Sequence, residues 1–178
     1  MGAEEFYNVG KGATAGEAFS SLVDAARYAN GHEGYTGSIA EKSEFTLLSV
    51  DSEAERCIGR LKETLECYTV KEQKRLAKQA ADIGKANRWS DEDYDLHDRI
   101  EAVRVWVSHD ETLGAACTRK RKQIRATIAK LKKKKGRAEA VAEALMYSDD
   151  KRVNDKWGPA CCVPLGNGEY AFFGWASS

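Results

Sequence analysis

The chain is 178 residues long, 42% apolar and 31% charged, with 28 basic side chains balancing 28 acidic ones. This is the composition of a folded globular chain rather than a disordered one, with length for one domain or a small domain carrying an elaboration. A formal net charge of zero excludes whole-molecule attraction to nucleic acid, and no apolar run approaches the ~20 residues that a membrane span needs.

The first residues lack a basic region followed by an apolar stretch, so no signal peptide is expected. The cysteines (Cys57, Cys67, Cys117, Cys161 and Cys162) are odd in number and irregularly spaced. That pattern argues against a disulfide framework and for a reducing compartment, so a cytoplasmic location is expected.

In chain order, Glu4 to Val9 reads as a strand ended by Gly10 and Gly12. Thr14 and Glu17 form a capping box, Phe19, Leu22, Val23 and Ala26 follow at helical spacing, and Asn30-Gly31 is a stop signal. The eight residues Gly31 to Ser38 hold three glycines. Glu44 to Val50 alternates and reads as a second strand. From Ser52 the character becomes helical. Ser52 with Glu55 and Thr69 with Glu72 look like further capping boxes, with apolar stripes at Ile58, Leu61, Leu65 and at Leu76, Ala80, Ile83. Ser90 caps an acidic stretch read as helix on Leu96, Ile100, Val103 and Val107, although Val103, Val105 and Val107 also alternate as a strand would. A long basic helix is expected over Glu111 to Lys135, with Leu113, Cys117, Ile124, Ile128 and Leu131 inside and Gly136 ending it. Ala138 to Tyr147 is a short helix. Ala160 to Leu165 and Glu169 to Trp175 then make a hairpin around Gly166-Asn167-Gly168.

Strand signals therefore sit at both ends and helix signals fill the middle. The expected fold is α+β: a small, mainly antiparallel sheet built from both chain ends, with a packed helix. Residues 1–51 and 148–178 would form this platform, and 52–147 a helical insertion or arm.

Four constellations bear on function. The glycine-rich loop follows a helix and precedes a strand, the reverse of dinucleotide and phosphate loops, so a helix N-terminus does not face it. His32, Tyr35, Thr36, Ser38, Glu41 and Lys42 could assemble a polar ligand site with Lys156 and Trp157, His32 or Glu41 acting as acid or base. The competing reading is a structured corner whose hydroxyls satisfy backbone groups. At Cys161-Cys162 a nucleophile is conceivable beside a histidine, but neighbouring strand residues point to opposite faces, so at most one should meet the core, as a structural thiol. No metal site is expected, because the histidines and cysteines show neither CxxC nor HxxxH spacing, and no cofactor is implied.

The basic helix is the fourth. Between Glu111 and Glu139 every charged residue is basic: Arg119, Lys120, Arg121, Lys122, Arg125, Lys130, Lys132, Lys133, Lys134, Lys135 and Arg137. Arg119, Arg121, Lys122, Arg125, Lys132 and Lys133 are the candidate partner-binding set, able to engage phosphates or an acidic protein surface. Upstream lie Asp91, Glu92, Asp93, Asp95, Asp98, Glu101, Asp110 and Glu111, which could cancel that charge within an antiparallel helix pair.

The segments Gly31-His32-Glu33-Gly34-Tyr35-Thr36-Gly37-Ser38-Ile39-Ala40-Glu41-Lys42, Lys156-Trp157-Gly158-Pro159-Ala160 and Phe172-Phe173-Gly174-Trp175-Ala176-Ser177 resemble small uncharacterised proteins of bacteriophages and archaeal viruses. The resemblance covers the two ends and not the helical middle, and it carries no catalytic residue. It implies a viral protein in the host cytoplasm, where small proteins bind and block host defence machinery. The expected function is thus an interaction protein that binds a host protein or nucleoprotein complex through a charged helical arm. Nucleic acid is a further possible partner and a membrane is not; the oligomeric state is not legible. The alternative is an enzyme or nucleotide-binding protein that uses the glycine loop and the Asp155 to Cys161 segment.

Overall fold

The computed structural model describes residues 2–31, 34–69, 71–75, 78 and 112–178. The stripe Leu76, Ala80, Ile83 and the acidic stretch from Ser90 to Glu111 lie outside the described residues, as does His32. The described elements are β1 (Ala3–Lys11), α1 (Ala15–Asn30), a 3-10 turn (Ile39–Glu41), β2 (Phe45–Leu47), α2 (Val50–Cys67), α3 (Leu113–Lys132), α4 (Arg137–Met146), α5 (Lys151–Asn154), β3 (Ala160–Gly166) and β4 (Glu169–Ser177). The chain divides into two compact units, Met1–Ile58 with Ala129–Ser178, and Gly59–Ile128.

The first unit is α+β, and its sheet is built from both chain ends in the order β1-β4-β3-β2. β4 pairs antiparallel with β1 and β3, while β2 runs parallel to β3, an arrangement that needs the long helical connection between those two strands. The hairpin turns where expected, through positive φ at Gly166 (101°), Asn167 (53°) and Gly168 (75°).

The Thr14 hydroxyl accepts from Glu17 N at 3.2 Å and so caps α1, while the Glu17 carboxylate accepts from Ala13 N at 2.9 Å, one residue before the N–H that a capping box uses. α1 lays Phe19 and Val23 on one sheet face against Phe6, Cys162 and Phe172. Phe19, Phe45 and Phe172 meet with ring centroids 5.1–5.4 Å apart. On the other face α4 and α5 pack against β3 and β4, and Val141, Leu145, Val153 and Phe173 are buried. Each phenylalanine so enclosed contributes about 2–3 kcal/mol.

Helices on both faces overturn one sequence expectation. Cys161 and Cys162 are both buried, at 1% and 0% exposure. They do point to opposite faces, but β3 is a central strand covered on each side, so both faces are core.

Two boundaries also differ. β2 ends at Leu47, and α2 begins at Val50 rather than at Ser52. Glu53 N donates to Ser49 O at 2.9 Å, which places Ser52 inside the first turn. In the second unit, Thr69 Oγ1 does accept from Glu72 N at 3.2 Å, and residues 71–75 are helical. Thr112, not marked by the sequence reading, caps α3 by accepting from Ala115 N at 3.3 Å. α3 buries Cys117, Ile124 and Leu131, seven residues apart, and leaves Ile128 half-buried.

Candidate functional site

The glycine loop is closed by its own side chains. Thr36 donates to Glu41 Oε1 from its backbone N at 3.0 Å and from its hydroxyl at 2.9 Å. Its hydroxyl also lies 2.8 Å from Ser38 Oγ, and Ser38 accepts from Ala40 N at 3.3 Å. Gly37 N donates to Ser177 O at 2.8 Å, which ties the loop to the end of β4. Gly37 has φ +64°, and a Cβ there would come within 2.8 Å of the Glu4 carboxylate and 3.1 Å of its Cβ, so glycine is the favoured residue. Burial pushes the Glu41 carboxyl up, but the Thr36 hydrogen bonds, with Tyr35 N–H and Arg27, outweigh it and hold the group below its usual range.

Lys42 joins this loop to the second candidate segment. It is 2% exposed, and its ammonium donates to the carbonyls of Asp155, Lys156 and Gly158 at 3.3, 3.0 and 2.8 Å. Burial lowers its pKa, against the pull of Asp155 and other anions nearby. The ammonium has three donors and here three acceptors, so the lysine closes the turn before β3.

The structure therefore brings the glycine loop and the Asp155 to Cys161 segment together, but chiefly through internal bonds. Thr36, Ser38, Glu41 and Lys42 satisfy one another or the backbone. Lys156 Nζ reaches Gly2 O at 3.3 Å. Cys161 and Cys162 have thiols pushed up by burial to about 11 and about 12, the opposite of an activated nucleophile. What remains at the surface is Tyr35, in the left-handed region with φ 59°, and Trp157, their rings edge-on at 6.3 Å and more than half exposed. A polar recess of about 330 Å³ lies beside the loop, lined by Arg27, Gly31, Gly34, Ala40 and Glu41. Of the residues expected to line a pocket, Glu41 borders this recess, while Tyr35 and Lys156 turn to Trp157 and Gly2.

A cluster that the sequence reading missed lies where α2 meets α5. Glu53 and Asp150 are 8% and 5% exposed, and each is paired with both Arg56 and Arg152 at 2.5–3.1 Å. Asp150 also caps α5, accepting from Arg152 N at 3.0 Å. Hydrogen bonds from Arg152 hold Glu53 below, and Asp150 well below, the usual carboxylate range, with Arg56 adding to the effect. The i,i+3 pair Glu53–Arg56 was visible in the sequence; its closure by Asp150 and Arg152 spans a separation of 94 residues and was not. Two acids and two bases compensate one another, so the cluster is a neutral clasp.

The basic helix divides into committed and uncommitted cations. Arg121 donates to Leu65 O at 2.6 Å, and Lys120 lies over the Tyr68 ring at 5.9 Å. Lys130 pairs with Glu143 at 3.3 Å. Arg137 pairs with Asp51 and donates to the carbonyls of Lys132 and Lys133, which finishes α3. Arg119 is exposed. Lys122, Arg125, Lys132, Lys133, Lys134 and Lys135 are exposed and form no ion pair among the described residues. Beside the last of these runs an open groove of about 910 Å³, with Ala54, Ile58, Leu131 and Leu165 in its lining and Lys132 and Lys134 on it.

Among the described residues no group of acidic, histidine or cysteine side chains is placed to hold a metal, and no helix is long and apolar enough to cross a membrane. Comparison with protein families, with characterised proteins and with solved structures finds no match.

Proposed function

We propose that this chain is an interaction protein that binds an anionic surface of a host protein or nucleoprotein complex, and so inhibits it, through the basic face of α3 and the lysine run after it. The observation that carries the reading is the exposure of Lys122, Arg125 and Lys132 to Lys135 without a carboxylate partner among the described residues. Within each set, the neighbouring cations Lys122 and Arg125, and the consecutive Lys132 to Lys135, repel one another, and a partner surface of opposite sign relieves that repulsion. The groove beside Lys132 and Lys134 adds an apolar floor next to the charge, the combination found where binding is specific as well as electrostatic. In the viral setting that the end segments suggest, the target is host defence machinery. The enzyme reading is less well supported, because its acid, its lysine and its thiol are each committed to internal bonding or burial.

The test is affinity capture from host lysate with and without nuclease, using the wild type and the Lys122→Glu/Arg125→Glu/Lys132→Glu/Lys133→Glu variant. A defined complex that the wild type retains and the variant loses is expected. Nuclease sensitivity would place nucleic acid in the target, and equal capture by both proteins would remove α3 from the account.

A further inference from the structure

We infer that β1 is a dimerisation edge, pairing antiparallel with β1 of a second copy in one register centred on Asn8. β1 is a nine-residue strand at the end of the sheet, and among the described residues no strand pairs with its outer side. Its hydrogen-bonding parity can be read directly. Gly2 and Ser178 exchange bonds in both directions, at 3.0 and 3.4 Å, and Gly12 N donates to Gly168 O at 3.0 Å. The even-numbered residues of β1 therefore face β4, and the backbone groups of Ala3, Glu5, Tyr7, Val9 and Lys11 point outward. No hydrogen bond among the described residues reaches them.

An edge of this length is a template for another strand unless something blunts it. Here the side chains of the outward residues specify the partner. Tyr7 and Val9 are 45% and 49% exposed, and Glu5 and Lys11 flank them on the same face. Three two-fold registers put outward residues opposite one another near the strand centre. Centring on Tyr7 sets Glu5 against Val9, and centring on Val9 sets Tyr7 against Lys11. Only centring on Asn8 sets Tyr7 against Val9 and Glu5 against Lys11, each twice by symmetry. In that register Phe6 faces Gly10, so its ring meets no side chain across the edge. The incoming Lys11, whose contact with Glu169 is long at 4.0 Å, would enter a recess of about 410 Å³ lined by Glu5, Tyr7, Glu139, Glu143 and Tyr147. Glu5 and Glu139 supply the negative charge of this recess, Glu143 being paired with Lys130, and Phe6, Tyr7 and Met146 supply apolar lining, so the recess matches both the ammonium and the stem of the chain's own Lys11. The two sheets would become one continuous sheet.

The test is sedimentation velocity of the full chain over a concentration series, with three variants. Tyr7→Pro removes an outward N–H that β4 does not use, so it should leave the fold intact and abolish the dimer. Lys11→Glu should raise the concentration needed for dimerisation about tenfold, and Glu5→Lys added to it should restore the wild-type value. Asn8→Cys, in a Cys67→Ser background, should cross-link to itself on mild oxidation, since facing residues of a non-hydrogen-bonded pair lie ~4.5 Å apart at Cα. A wild type that stays monomeric throughout would overturn the inference. So would a dimer unaffected by Tyr7→Pro, and failure of the charge exchange to rescue would overturn the register.

Discussion

At the scale of single residues, Lys42 shows how a side chain suited to ligand binding can be consumed by the fold. Its ammonium carries three N–H donors at the end of a long flexible stem, which is what reaching three carbonyls arranged around one point requires. Lys42→Ala should leave those carbonyls unsatisfied and cost about 2–3 kcal/mol in chemical denaturation. Lys42→Arg should not restore it, because a planar fork cannot replace a three-donor point. Stability equal to wild type in either variant would show that the turn does not depend on the lysine. Cys161 and Cys162 give a second residue-scale prediction. With both thiols buried and their pKa values raised, thiol reagents at neutral pH should label them only after unfolding.

At the scale of elements, the clasp of Glu53, Arg56, Asp150 and Arg152 fastens the start of α2 to α5. Both carboxyls have folded pKa values below their unfolded ones, so their contribution is complete above about pH 4.5 and disappears as pH falls through the folded values. The wild type should lose stability progressively below pH 4. Asp150→Ala removes the buried carboxylate that accepts from Arg56, Arg152 and the first turn of α5; because both guanidinium groups are about 40% exposed, it should cost about 1–2 kcal/mol at pH 7, and should flatten the acid limb of the profile. An unchanged acid limb would contradict the assignment.

These elements also show what the sequence could reveal. Local signals were legible: the Thr14 cap, the Gly31 stop and the Gly166 to Gly168 turn depend on contacts within a few residues, and each forms. Of the residues expected inside the basic helix, Cys117, Ile124 and Leu131 are buried and Ile128 is half-buried, a periodicity legible for the same reason. What remained hidden needed the tertiary arrangement. Parity correctly sends Cys161 and Cys162 to opposite faces, but it does not reveal that helices cover both. The parallel pairing of β2 with β3 and the closure of the clasp join residues far apart in sequence, and no local pattern encodes either. Lys42 does join the loop to the turn at Asp155 to Gly158, but residue type alone does not distinguish a site from a joint. The hydrogen-bond partners do.

At the scale of the whole molecule, zero net charge conceals segregation along the chain. The cations divide by position: Arg121 and Arg137 hold the fold through Leu65, Asp51 and the end of α3, whereas Lys122, Arg125 and the Lys132 to Lys135 run face solvent. Charge reversal should therefore spare Arg121, whose loss would cost structure and be misread as lost binding. The most direct measurement of the central claim is the salt dependence of binding to the captured partner, made in parallel for the wild type and for Lys122→Gln/Arg125→Gln, with thermal unfolding of both as the control. The account predicts unchanged unfolding, weaker binding at low salt, and a log–log salt slope shallower by about 2 if the target presents phosphates. Identical slopes and affinities for two equally stable proteins would contradict it.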